Sequence, residues 1–475
     1  VWTDMRPLSL RKKMAINAQN ASGPNSNHQY DRCVHHLFEE QAMRKPESAA
    51  IIFEEKQISY RELNRRANQV AHYLRSTGVM PEVKVGLSIE RSIEMIVGML
   101  GILKSGGVYV PLDPVYPQKR LQSVIQNSQI KVLLTQEHLL QQFPITIGNI
   151  VLVDKDWPII SQQEIKNTVN NLSAENLSHV IYTSGSTGTP KGAMVAHGSL
   201  RNNVQSLVAR LGISSDDVYL QTASIAFTSS LRQLLVPLSV GATVVLATAE
   251  QRKDPLAIFD LIKKYDVTIL DTVATFWENL THTLTHMDTG LKNHYLANKL
   301  RLILSSGGEL PSRVPIRWRT HFNQNTRLVN MYGQTETIGN ILVYQIPDQH
   351  NLKTEIVPLG PPLDNIDVYL MDELMNSVEA GSEGEICIGG PNIARGYIDQ
   401  PELTAEKFIP NPFGRIPGER LYRSGDRGRR LTDSTIEFIG RVDFQINIRG
   451  FRIEPSEVET VIKRHPGVSE AVAVA

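Results

Sequence analysis

The sequence predicts an α/β protein with largely parallel sheets and a smaller β-rich region toward its C-terminal end. Two patterns carry this expectation. Short apolar runs alternate with helical patterns along most of the chain, as β–α units do. From about Val357 to Ile439 the runs shorten and Gly and Pro become frequent. The composition suits such a fold: 475 residues, 41% apolar and 21% charged, is ordinary globular usage with material for a large core.

The elements follow in order. Residues 1–34 read as a linker, rich in Asn, Ser and Lys/Arg and without apolar period, most clearly over Asn17–Gln29. The cluster Arg11, Lys12, Lys13 fits a solvated linker or a targeting signal. Regular structure is expected from Cys33, with a strand at Ala49–Phe53. A helix opens at Ser59, where Glu62 completes a capping box. Its apolar face is Leu63, Ala67, Val70, Ala71 and Leu74, and Gly78 is its stop. Ile96–Leu103 and Leu234–Ala247 are core segments, too short or too broken to cross a membrane. Further strands are expected at Val108–Leu112, Lys131–Leu134, Val180–Thr183, Ala242–Ala247, Val267–Leu270 and Leu300–Leu304.

Lys plus Arg and Asp plus Glu number 49 each, so the net charge is zero. A nucleic-acid binder needs a basic surface, so any anionic ligand here must be held by local geometry. Two cysteines, Cys33 and Cys387, allow no disulfide framework and suit a reducing cytoplasm. There is no signal-peptide core. The chain starts on Val and ends on Val-Ala-Val-Ala, and the expectation is a piece of a longer polypeptide.

The strongest local signal is Tyr182-Thr183-Ser184-Gly185-Ser186-Thr187-Gly188-Thr189-Pro190-Lys191-Gly192. Small residues let backbone N–H groups approach phosphate oxygens, hydroxyls add donors, and Lys supplies charge. The spacing is not that of a Walker loop. A flexible Ser/Gly loop would share the composition, but the whole string resembles the phosphate-binding loop of adenylate-forming enzymes. Five more stretches resemble that family's motifs in the same order. They are Leu103–Asp113, Asn330–Thr337, Gly384–Tyr397 with Pro401–Thr404 after it, Tyr422–Asp426, and Gly440–Gly450. Tyr109-Val110-Pro111-Leu112-Asp113 and Phe451-Arg452-Ile453-Glu454 point to the adenylation domains of nonribosomal peptide synthetases. A free-standing acyl-CoA or acyl-AMP ligase and a degenerate docking module are the alternatives.

The resemblance implies a large N-terminal adenylation core at 35–442, with a β-rich subdomain at about 357–439. It also implies a hinge and the beginning of a small α+β C-terminal subdomain at 443–475. It implies ATP and Mg²⁺, and a reaction joining a carboxylate to the α-phosphate before transfer to phosphopantetheine on a carrier domain. Condensation and carrier domains would be neighbours, and some relatives carry a methyltransferase or other domain inserted near the position of residue 475. By the same resemblance, Thr183–Lys191 would hold the β- and γ-phosphates, through Ser184, Gly185, Ser186, Thr187 and Gly188. Thr335 would bind the α-phosphate and Glu336 the Mg²⁺. Gly307 would belong to the nucleotide site, Tyr332 would stack on adenine, Asp426 would take both ribose hydroxyls, and Arg441 would contact ribose or phosphate. Asp443 would be the hinge.

Several departures bear on the substrate. Where the family has an Asp that grips an α-ammonium, this chain has Thr228, within Phe227-Thr228-Ser229-Ser230. A hydroxyl cannot neutralise an ammonium in a dry pocket. The other pocket positions are Arg232, Asp271, Leu304, Ser306, Met331, Gly339 and Asn340. Three readings of the two charges stand open: Arg232 and Asp271 pair with each other, Asp271 binds a displaced amino or guanidino group, or Arg232 binds an oxygen of the substrate. The acid implied is non-standard: hydroxy, keto, β-amino or guanidino. Gln334 replaces the usual Pro and is expected to change little. Ser424 replaces Thr, and Asn447 stands where Lys is usual. The family's catalytic Gly-Lys motif lies beyond the position of Ala475.

Overall fold

In the computed structural model, residues 32–474 are described except 144–146, 170, 186–189, 323–324, 349–351, 353, 432–434, 449–450, 464 and 466. The linker reading and the Arg11, Lys12, Lys13 cluster therefore fall outside the described residues, apart from Arg32–Val34. The helix opened by Ser59 runs Tyr60–Ser76, and the Ser59 hydroxyl accepts from the Glu62 amide at 3.3 Å. One orphan donor of the first turn is thereby satisfied. All five residues of its expected apolar face are buried, and Gly78 follows at φ +93°. Its partner, Ile93–Ser105, contains Ile96–Leu103 and is buried along nearly its whole length. The two approach so closely that a Cβ on Gly101 would fall 2.5 Å from Val70 Cγ1.

Strands gather into two large sheets. The first has eight, in the order Gly339–Gln345, Arg327–Gln334, Leu302–Ser305, Ile269–Thr272, Val218–Gln221, Thr243–Leu246, Ala49–Phe53 and Lys56–Ser59. Its interior is parallel and its two edge strands are antiparallel. The second has seven: Gly396–Tyr397, Lys191–Ala196, Leu177–Thr183, Val108–Pro111, Lys84–Ser88, Val132–Thr135 and Asn149–Leu152. Each strand expected from the sequence is present, shifted by up to three residues at its ends. Leu234–Ala247 divides between the end of the helix Thr228–Leu238 and the strand Thr243–Leu246.

A third sheet is wholly antiparallel, with Arg420–Arg430 paired to Glu383–Gly389, Phe408–Pro410 and Ile436–Arg441. A two-stranded ribbon, Ile446–Ile448 with Phe451–Ile453, and the helix Pro455–Lys463 follow. Cys33 and Cys387 are free and buried, and burial pushes each thiol up to about 12. Near Cys33, His35 and His197 pack edge to face at 5.6 Å between ring centroids. Burial holds His179 and His197 down at about 3 and His35 well below its usual value, so these rings are neutral. No helix among the described residues is long and apolar enough to cross a membrane.

Candidate active site

The strands Leu177–Thr183 and Lys191–Ala196 pair antiparallel with Thr183 opposite Lys191. Thr183 and Lys191 thus stand side by side where the Gly- and hydroxyl-rich stretch leaves and rejoins the sheet. Ser184 and Gly185 are buried beside them; Ser186, Thr187 and Gly188 lie outside the described residues. Among the described residues the buried Thr183 hydroxyl has no hydrogen-bond partner. Leaving such a group unpaired costs about 1–3 kcal/mol, which a phosphate oxygen beside it would relieve. The Lys191 ammonium lies 3.3 Å from the Glu454 carboxylate and 5.7 Å from the centre of the Tyr397 ring.

Thr335 and Glu336 form a tight turn directly after the strand Arg327–Gln334. The chain folds back so sharply that a Cβ on Gly333 would lie 1.9 Å from the Gly339 carbonyl oxygen, so only glycine fits there. Glu336 is fully buried, and the Tyr397 hydroxyl donates to its carboxylate at 2.8 Å. A carboxylate oxygen is the hard donor that Mg²⁺ takes, so Glu336 could hold such an ion.

Asp426 is the centre of a third cluster. Its Oδ2 accepts from the Tyr332 hydroxyl at 2.5 Å and from the Gln334 amide at 2.6 Å, and Arg441 pairs with its Oδ1. Burial and the adjacent Asp426 charge push the Tyr332 hydroxyl well above its usual value, so it stays a donor. Arg441 also makes two bonds to Asp443, at 2.6 and 2.8 Å. Burial works against the Asp443 charge, yet the Arg441 contacts outweigh it and hold the carboxyl below its usual range. Gly307, at φ +81°, offers its carbonyl to the Asn447 side chain at 2.9 Å, which ties the C-terminal ribbon to the core.

The expected pocket residues converge beside this. Leu304 pairs with Asp271 on adjacent parallel strands, and Ser306 follows at the strand's C-terminal end, the usual ligand edge of such a sheet. Thr228 and Ser229 open the helix Thr228–Leu238, with Phe227 as its N-cap. The Thr228 hydroxyl lies 3.4 Å from that of Thr335, and a Cβ on Gly339 would meet its methyl at 3.3 Å. Met331 is buried against Asn340, whose amide approaches the thioether sulfur at 3.6 Å. Of the three readings of the charges, the structure shows the first. Arg232 Nε and Nη2 donate to the two Asp271 oxygens at 2.9 Å each. Nη2 also donates to Ser306 at 3.0 Å, and the Tyr219 hydroxyl donates to Asp271 at 2.8 Å.

Several site residues escape a sequence reading. Tyr397, Tyr422 and Glu454 sit inside the quoted motifs, but their partners are distant in sequence. Tyr219 carries no signal at all. Gln334, expected to change little, instead makes three side-chain hydrogen bonds in the Asp426 cluster.

Known proteins fit this geometry. The profile of the AMP-binding enzyme family matches residues 38–398. The chain is 37% identical over 446 residues to tyrocidine synthase 1 of Brevibacillus parabrevis, covering 94% of this chain and 39% of that protein. It is 36% identical over 456 residues to gramicidin S synthase 2 of Brevibacillus brevis, covering 96% of this chain and 10% of that protein. It therefore spans well under half the length of these curated relatives. An artificially fused adenylation–PCP di-domain synthetase from Klebsiella oxytoca superposes with a TM-score of 0.83 at 27% identity, over 94% of this chain and 86% of that one. A nonribosomal peptide synthetase in its AMPPNP-bound form gives 0.80 at 29% identity, over 93% and 46%. This chain belongs to the AMP-binding enzyme family and is an acid–AMP ligase resembling the adenylation domains of nonribosomal peptide synthetases.

Proposed function

We propose that this chain activates a carboxylic acid that lacks an α-ammonium group and has an uncharged tail, an α-hydroxy or α-keto acid being the best fit. The substrate carboxylate oxygen attacks the α-phosphorus of ATP, the bond to the β-phosphate oxygen breaks, and pyrophosphate leaves. A pantetheine thiol of a carrier domain then takes the acyl group, losing its proton, and AMP leaves. Two anions must meet in the first step, so donors fixed in advance lower its barrier. Thr183 and Lys191, side by side, suit the β- and γ-phosphates, and Thr335 suits the α-phosphate. Mg²⁺ on Glu336, when bound, supplies charge neutralisation there. Residues 35–442 serve as the nucleotide- and acid-binding core, and 443–475 as the moving part beyond the Asp443 hinge.

The observation that carries the substrate reading is the Arg232–Asp271 pair. Asp271 is the one carboxylate among the pocket positions, and it is already held by Arg232 and Tyr219. It is therefore poorly placed to receive an amino or guanidino group, and Thr228 offers only a neutral hydroxyl to the α-substituent. The test is ATP–pyrophosphate exchange by the full-length protein with α-amino, β-amino, α-hydroxy, α-keto and guanidino acids. Exchange confined to hydroxy or keto acids supports the reading. Exchange driven best by a common α-amino acid overturns it.

A further inference from the structure

We infer that Gln334 is a positioning residue for the ribose of the nucleotide, setting the orientation of Asp426 relative to Thr335. The inference rests on the adenylation reading, which places the ribose on Asp426 and the α-phosphate on Thr335.

Those two groups stand on different sheets. Thr335 follows the strand Arg327–Gln334 of the eight-stranded sheet, whereas Asp426 lies in Arg420–Arg430 of the antiparallel sheet. ATP must engage both at once, so their separation has to be set before it arrives. Gln334 spans the gap. Its amide nitrogen donates to the Ser424 carbonyl at 3.1 Å and to Asp426 Oδ2 at 2.6 Å, and its amide oxygen accepts from the Tyr422 hydroxyl at 2.6 Å. Ser424 and Tyr422 belong to the same strand as Asp426. An amide nitrogen carries two donor hydrogens, and here each has its own acceptor. A side chain held at three points has little freedom left, so it holds its neighbours too. The Tyr332 hydroxyl reaches the same oxygen at 2.5 Å, so two neutral donors from the strand that precedes Thr335 hold Oδ2 while Arg441 holds Oδ1. A proline or aliphatic side chain at 334 would supply neither the bond to Asp426 nor the tie to Ser424.

The experiment measures binding of ATP and 2′-deoxy-ATP, and KM for ATP and for the acid, in the full-length protein. The variants are Gln334→Leu, Gln334→Pro and Tyr422→Phe. The expected result is that wild type prefers ATP, and that both Gln334 variants lose about tenfold of that preference, the worth of one charge-assisted hydrogen bond. KM for ATP rises with it while KM for the acid holds. Tyr422→Phe, which releases only the amide oxygen, gives a smaller change in the same direction and serves if the Gln334 variants fold poorly. Unchanged ribose discrimination in a folded Gln334→Leu, or in Tyr422→Phe if Gln334→Leu does not fold, overturns the inference. A wild type that binds neither nucleotide overturns the adenylation reading instead.

Discussion

Arg232 of the helix Thr228–Leu238 and Asp271 of the strand Ile269–Thr272 are joined at two points, with Tyr219 and Ser306 filling further hydrogen-bonding positions. Both side chains are almost wholly withdrawn from solvent. Removing one partner strands the other charge in a dry site. Asp271→Ala is therefore expected to lower the unfolding free energy by about 3–5 kcal/mol, while an Arg232→Leu/Asp271→Leu double variant loses far less. Urea denaturation of the singles and the double checks this, and a double variant as unstable as Asp271→Ala would contradict it.

The Thr228 hydroxyl lies 3.4 Å from that of Thr335, which under the proposed roles sets it near the reacting carboxylate. Thr228→Asp supplies the missing partner for an α-ammonium. Exchange with α-amino acids should rise by at least about tenfold, and exchange with hydroxy or keto acids should fall, since an unpaired buried carboxylate opposes them. If neither changes, Thr228 does not touch the α-substituent.

Glu336 is buried and hydrogen-bonded to Tyr397, whose ring centre lies 5.7 Å from the Lys191 ammonium. Glu336→Gln keeps the shape and removes the charge. Adenylation should drop by about 10²-fold and need more Mg²⁺ for half-maximal rate, with little loss of stability. Titrating Mg²⁺ against rate for both proteins measures the effect.

The neutral histidines make stability fall with acid. In the unfolded chain a histidine takes its proton near pH 6.5, whereas His179 and His197 in the fold take theirs only near 3. A depressed folded value stabilises the protein above pH 6.5, and that stability is lost as pH drops from 6.5 toward 3. The urea midpoint at pH 5 should lie clearly below that at pH 7.5. His197→Leu should make that pH dependence shallower, whatever it does to stability at pH 7.5.

Much of the architecture was legible because it rests on local pattern. The Ser59 cap, the apolar face from Leu63 to Leu74 and the Gly78 stop depend on residues within a few turns of each other. The strand runs from Val108 to Leu304 are likewise read from their own composition. Strand ends moved by up to three residues, since neighbouring strands decide where pairing stops.

The order of motifs in the sequence determined the family and its nucleotide chemistry, because each motif keeps its donors on a short stretch of backbone. Tertiary structure decided which charges remain available to a ligand. Arg232 and Asp271 are 39 residues apart, and only sheet register brings Asp271 under the helix that carries Arg232. Gln334 reaches Asp426 across 92 residues and two sheets. A residue's type gives the bonds it can make; only the folded chain shows which of them its neighbours have taken.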